Sequence, residues 1–150
     1  MIALPTGALL FDTGIYVRFG RGEDYPWLGQ DGRVFQRTFL TAVVAAELYA
    51  GTRDLREKRA LDELCHAHYA LGHFSAPTAA AWTDAGILLR RAKGTFGQME
   101  LVHHFRDLLI ALEAARFRAT LVTENIADFV RWRTLLASTG RTLKLSAPPK

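Results

Sequence analysis

Ala8-Leu9-Leu10-Phe11-Asp12 closes an apolar run that begins at Leu4 and is broken only by Pro5, Thr6 and Gly7. A compact apolar segment set between Gly7 and Gly14 predicts a short, buried β-strand, and it puts Asp12 at the carboxyl end of that strand. Ala119-Thr120-Leu121-Val122 has the same character and predicts a second buried strand, with Thr123 at its end. Phe39-Leu40-Thr41 predicts a brief strand between them. Helical patterns fill the intervals. One runs from Ala42 to Ala50 and stops at Gly51, a good C-terminal signal. Another covers Arg53 to Leu71, with Leu55, Leu61, Leu64, His68 and Leu71 at helical spacing. After Phe74-Ser75 and Pro77, Thr78 to Ala92 predicts a third, Gly94 to Gly97 a break, and Val102 to Phe117 a fourth. Short strands alternating with helices predict an α/β fold, a sandwich built on a central parallel sheet flanked by helices.

Two segments read as irregular. Arg18 to Arg37 carries Gly20, Gly22, Pro26, Gly29 and Gly32 among charged residues, which predicts a loop with a short ordered piece near Trp27-Leu28. Its length suits a functional flap. Tyr25 and Trp27 in it would either stack on an unpaired base or pack the loop down. Ser146 to Lys150 reads as a flexible tail.

With 150 residues and 49% hydrophobic composition, the chain has apolar material for one core and too little length for two, so 1–150 is read as a single domain. The longest apolar stretches, Thr41 to Ala50 and Leu108 to Ala115, are interrupted by Glu47 and Glu113 and fall short of a bilayer span, so no membrane segment is expected. The N-terminus lacks the cationic start and cleavage site of a secretory signal, which points to the cytoplasm. Cys65 is alone, which excludes an internal disulfide framework and a Cys-based zinc site. Net charge is +4, and 15 of the 19 cationic side chains are arginine, whose planar fork matches phosphate oxygens; a polyanionic partner or a merely solvated basic surface would both account for it.

Asp12, Glu47, Asp107 and Asp128 each stand among apolar neighbours, where a carboxylate costs free energy unless something offsets it. A parallel sheet binds ligands outside the carboxyl ends of its strands. Asp12 ends one strand, Glu47 lies early in the helix after Phe39, Asp107 lies in the helix before Ala119, and Asp128 follows Val122 by a short loop, so the four are expected to converge. Crowded carboxylates repel until a cation offsets them, and their hard oxygens suit Mg²⁺ or Mn²⁺, the chemistry of phosphodiester hydrolysis without a nucleophilic side chain. Singly, each acid has a plainer reading: a helix cap for Asp12 and Asp128, a surface position for Glu47, an ion pair with Arg106 for Asp107. His66, His68, His103 and His104 are spaced too closely along their helices to share an ion and are expected in the core or on the surface. Trp82 and Trp132 are expected in the core.

The chain resembles the PIN-domain ribonucleases of the VapC toxin type, the toxin components of toxin-antitoxin pairs. Leu9-Leu10-Phe11-Asp12-Thr13 is similar to that family's opening strand and first acid, and Thr41 to Gly51 to its second-acid segment. Asp107-Leu108-Leu109-Ile110-Ala111 is similar to its third-acid helix, and Ala119 to Thr123 with Asn125, Asp128 and Phe129 to its closing strand and loop. The resemblance implies a PIN-like three-layer sandwich and an endoribonuclease in which Asp12, Glu47, Asp107 and Asp128 bind Mg²⁺ or Mn²⁺. It further implies that Thr13 and Thr123 support the acids by hydrogen bonds and that Asn125 positions a carboxylate, water or substrate phosphate. RNA as substrate, a cognate antitoxin inserting a segment into the cleft, and a homodimer are implied as well. Two departures stand out: Gly14 replaces the family's usual Asn or Ser, and the segment 18–37 is longer than usual. Glu124 competes with Asp128 for the fourth acidic position. Gly14 also leaves open a catalytically weakened module that binds RNA or a protein partner, and the sheet type leaves open a phosphohydrolase of small molecules.

Overall fold

In the computed structural model, which describes residues 3–96 and 101–150, β1 (Leu9–Phe11) is the middle of a five-stranded sheet. Its flanking strands are β2 (Thr38–Thr41) and β4 (Thr120–Val122); β3 (Phe74–Ser75) and β5 (Lys144–Ser146) form the edges, and the order is β3-β2-β1-β4-β5 with every pairing parallel. Alternation along β1 explains why all three of its residues are buried: Leu9 and Phe11 point to one face and Leu10 to the other, and both faces are covered. On Leu10's side lie α3 (Ala42–Ala50), α5 (Ala79–Phe96), α6 (Leu101–Arg116) and α7 (Ile126–Ala137), contributing Val44, Leu88, Ile110 and Trp132 to the larger core. On the other side Leu9, Phe11 and Val122 meet Ile15, Tyr25, Trp27 and Val34. The fold is the expected three-layer sandwich. No helix among the described residues is long and apolar enough to cross a membrane.

The segment 18–37 is not a flap. α1 (Thr13–Gly20) runs into it, a 3-10 turn occupies Pro26–Gly29, and α2 (Gly32–Gln36) completes it. Asp31 caps α2 by accepting from the Arg33 amide at 2.9 Å. Tyr25 takes a left-handed backbone conformation (φ 59°) just before Pro26, where right-handed helical geometry is disfavoured. Tyr25 and Trp27 are thereby turned inward, each 4% exposed, and Trp27 lies with its ring centroid 5.8 Å from that of Phe11. Few but large apolar anchors outweigh the loop-like composition.

Within the segment 146–150, Ser146 belongs to β5, and the Trp27 indole Nε1 donates to the Pro149 carbonyl at 3.1 Å. α5 continues through Gly94, where a break was expected, because Leu88, Leu89 and Ala92 pack into the core and outweigh the cost of one glycine, about 1 kcal/mol; Gly97 lies outside the described residues. Trp82 is 52% exposed rather than in the core. The packed stripe of α5 follows Ala81, Ala85, Leu88 and Ala92, and one residue of helix rotation, about 100°, carries Trp82 off it. α4 (Leu55–Ala70) packs on β2 and α3, and its His68 is buried against Phe35.

Burial, reinforced by the nearby His73, pushes the His68 ring down to about 4. The unfolded chain therefore takes up a proton near the ordinary histidine value that the native chain refuses, so this group's contribution to stability is intact above about pH 6.5 and lost as pH falls toward 4. Chemical denaturation between pH 7 and 4 is expected to show a loss on the order of 2–3 kcal/mol that is missing from a His68→Phe variant; parallel pH profiles for the two proteins would contradict it.

Candidate functional site

The sheet's order places its switch point between β1 and β4: the chain leaves β1 toward β2 and reaches β4 on the opposite side. In open parallel sheets loops diverge at such a point and form a crevice at the carboxyl edge. Asp12 directly follows β1 and Thr123 directly follows β4, and both are buried. The Thr123 hydroxyl donates to Asp12 Oδ2 at 2.8 Å and accepts from the Asn125 amide at 3.0 Å. Asp12 Oδ1 accepts from the Thr13 amide at 2.8 Å as α1 begins. Two donors, the Thr13 amide and the Thr123 hydroxyl, thus fix the Asp12 carboxylate, and the Asn125 amide in turn holds the hydroxyl.

Two helices add the remaining acids. α1 and α3 pack together, and Thr13 Oγ1 donates to Glu47 Oε1 at 2.9 Å. α3 also meets α6, where Arg106 and Asp107 lie. Arg106 Nη1 donates to Glu47 Oε2 at 2.9 Å, while its Nε and Nη2 both donate to Asp107 Oδ1 at 3.2 and 3.0 Å. The guanidinium stands between the two acids. Burial raises the Asp107 carboxyl above its usual range; Arg106 opposes this, and the charges of Asp12 and Asp128 add to it. Asp107 thus lies within electrostatic reach of Asp12 and Asp128.

Asp128 stands apart in one respect. It occupies the first turn of α7, its side chain is 58% exposed, and it pairs with Arg131 at 3.5 Å. Glu124 is engaged elsewhere, with Arg18 at 3.3 Å and with the Tyr25 phenol, which burial and this hydrogen bond push up to about 12. Asn125 starts α7 with an exposed side chain, and its contact with the acids runs through its amide and Thr123. Arg106 is the site residue whose bridging role the sequence did not reveal; the signal was a cation adjacent to Asp107, but neighbours along a helix ordinarily face different directions. Glu113, a further buried acid, is tied by the Ser75 hydroxyl at 2.7 Å and by Arg116 at 3.3 Å, away from this crevice.

No family model matches the sequence, and no curated protein matches it significantly. Solved structures do match its fold. A chain from VapBC2 of Rickettsia felis bound to a fragment of promoter DNA superposes with a TM-score of 0.63 at 20% identity, over 93% of this chain and 98% of its own. FitAcB from Neisseria gonorrhoeae gives 0.61 at 18% identity over 91% and 95%, and VapBC-1 from nontypeable Haemophilus influenzae 0.61 at 16% over 93% and 97%. The chain has a PIN-like fold, shared with these VapBC and FitAcB chains.

Within this PIN fold the acidic edge offers carboxylate and hydroxyl oxygens, a donor set suited to a hard divalent cation. Mg²⁺ retains several waters and is commonly held by only one or two protein carboxylates together with substrate oxygens. Among the described residues no three His, Cys, Asp or Glu side chains are gathered closely enough to hold an ion together. Arg106 is the cation that Glu47 and Asp107 contact instead. A Cβ at Gly14 would meet nothing within 4 Å, so the missing Asn or Ser leaves space rather than relieving a clash.

The two threonines are expected to differ in weight. Thr123 is fully buried and serves a buried acid, whereas Glu47 is half-buried and has Arg106 as well as Thr13. Thr123→Val should cost about 1–3 kcal/mol by leaving the Asp12 carboxylate and the Asn125 amide short of a partner, and Thr13→Val less than about 1 kcal/mol. Urea denaturation of both variants checks the order, and an equal or reversed cost would contradict it.

Proposed function

We propose that the chain is a metal-dependent endoribonuclease and the toxin component of a toxin-antitoxin pair. The observation that carries this reading is the Asp12–Thr123 bond across the β1/β4 switch point with Asp107 in electrostatic contact. It marks a negatively charged crevice at the edge where an open parallel sheet binds its ligand. Asp12 and Asp107 would hold Mg²⁺ or Mn²⁺, with Glu47 and Asp128 at the rim orienting its waters or the substrate. When bound, the ion supplies Lewis-acid polarisation of a phosphate oxygen and a water of lowered pKa.

The chain's own residues account for the rest. Asp12 is oriented by Thr123 and the Thr13 amide and cannot swing away as phosphate approaches. Two donors, one on each carboxylate oxygen, therefore set its position. Asp128 is exposed and first-turn, so it is placed to meet solvent and substrate rather than the core. The arginine-rich composition supplies charge for gripping an RNA backbone.

An antitoxin partner is supported by the fold's appearance in VapBC and FitAB assemblies. An apolar cavity of about 360 Å³ between α1, α2, α3 and α4, lined by Phe11, Tyr16, Val34, Leu48, Leu64 and His68, opens beside Glu47. A partner segment with an apolar side chain would fill it while reaching the acids. Homodimerisation and a cytoplasmic setting belong to the same proposal.

Purified protein incubated with Mg²⁺ and total RNA is expected to generate new 5′ ends, and Asp12→Asn or Asp107→Asn to slow this by roughly two orders of magnitude or more. Cleavage unchanged in both variants would refute the assignment. RNA binding without cleavage in the parent protein would favour a binding module, and turnover of a generic phosphate ester without RNA cleavage would favour a small-molecule phosphohydrolase.

A further inference from the structure

Arg106 holds an unusual position. Its backbone neighbour is Asp107, and adjacent helical residues point about 100° apart, yet its side chain doubles back so that two of its nitrogens reach Asp107 Oδ1. A third nitrogen crosses to Glu47 on α3. Neither acid alone accounts for this geometry. The fork of a guanidinium is matched to bridging two carboxylates, and the bridge satisfies both charges in surroundings where Asp107 is 11% and Arg106 35% exposed. Together with Thr13, it engages both oxygens of Glu47.

We propose that Arg106 is a resident counter-cation that competes with the divalent ion, so that the ion binds only as Arg106 leaves the gap between Glu47 and Asp107. This rests on the metal-dependent reading of the site. The physical basis is mutual exclusion. A dication seated on Asp107 lies within a few ångströms of the guanidinium, and like charges at that separation in a partly dry crevice repel strongly. The same two acids cannot be fully offset by both cations. Of the four acids, Glu47 and Asp107 meet on the guanidinium, while Asp12 is held by Thr13 and Thr123. Once displaced, Arg106 sits on the rim of the crevice beside the ion, where a phosphodiester oxygen is its natural new partner. Substrate and ion therefore favour the same open arrangement, and the chain's affinity for the ion is low until RNA arrives.

Isothermal titration of Mn²⁺ into the parent protein, Arg106→Gln and Arg106→Lys tests this without reading activity. Arg106→Gln is expected to bind Mn²⁺ at least about tenfold more tightly than the parent, and Arg106→Lys, which keeps charge but cannot bridge both acids with a fork, to fall between them. Thermal melts give a second readout: ion-free Arg106→Gln should melt below the parent, with Glu47 and Asp107 left facing each other, and saturating Mn²⁺ should raise it by more than it raises the parent. Equal or weaker Mn²⁺ affinity in Arg106→Gln, with binding still abolished by Asp107→Asn, would overturn the competition while leaving the metal site intact. Absence of any Asp107-dependent Mn²⁺ binding in all three proteins would overturn both. Should Arg106→Gln not fold, the Arg106→Lys comparison decides by the same criterion.

Discussion

One hydrogen bond across the switch point of the sheet organises the rest of the site: the Thr123 hydroxyl on Asp12. It joins the ends of the two central strands, and its geometry is available because β1 and β4 run parallel in register, Phe11 beside Val122, so that the residues following them emerge side by side. Burial makes the bond consequential. A carboxylate at 8% exposure without such donors would be costly, and with them it becomes a fixed negative point on the floor of a crevice. Everything else in the site is arranged around that point: α3 brings Glu47 over Thr13, and α6 brings Asp107 close enough to feel the charge of Asp12.

The same concentration of charge sets a problem for the resting protein. Acids brought near one another by packing repel, and the fold has to hold them in place against that repulsion. Hydrogen-bond donors from Thr13 and Thr123 offset part of this and the Arg106 guanidinium offsets more. On the proposed reading, stability and function pull against each other here: the Arg106 guanidinium that neutralises Glu47 and Asp107 in the resting chain would have to be cleared before an ion binds.

Much of this was legible in the residues. An acid closing an apolar run, as Asp12 closes Leu9–Phe11, is a strong local signal, because a strand buried on both faces has no other place for a charge than its end. The helix 42–50 and its stop at Gly51 followed from periodicity and capping, the alternation of short strands with helices indicated the parallel sandwich, and the order of the four acid-bearing segments carried the resemblance to a PIN-like fold. Other features depended on partners distant in the chain. Asp128 and Trp82 sit in apolar contexts in sequence but on outward turns of their helices, a matter of one residue's rotation. The segment 18–37 has the glycines of a loop, yet Trp27 reaches both Phe11 and Pro149, contacts that no local pattern encodes. β3 and β5, two and three residues long, exist through pairing with β2 and β4 and carry little signature of their own. The Arg106 bridge needs α3 and α6 to meet before it has two ends.

The convergence of these acids is open to direct measurement through the titration of Asp107, followed by ¹³C NMR of its carboxyl in ion-free protein. Burial and the repulsion of Asp12 and Asp128 should hold its midpoint above the ordinary aspartate range in spite of Arg106, and Asp12→Asn should lower that midpoint by removing one of the repelling charges. An Asp107 that titrates at its ordinary value and is indifferent to Asp12→Asn would mean that the two acids do not share a crevice, and the account of the site would fail with it.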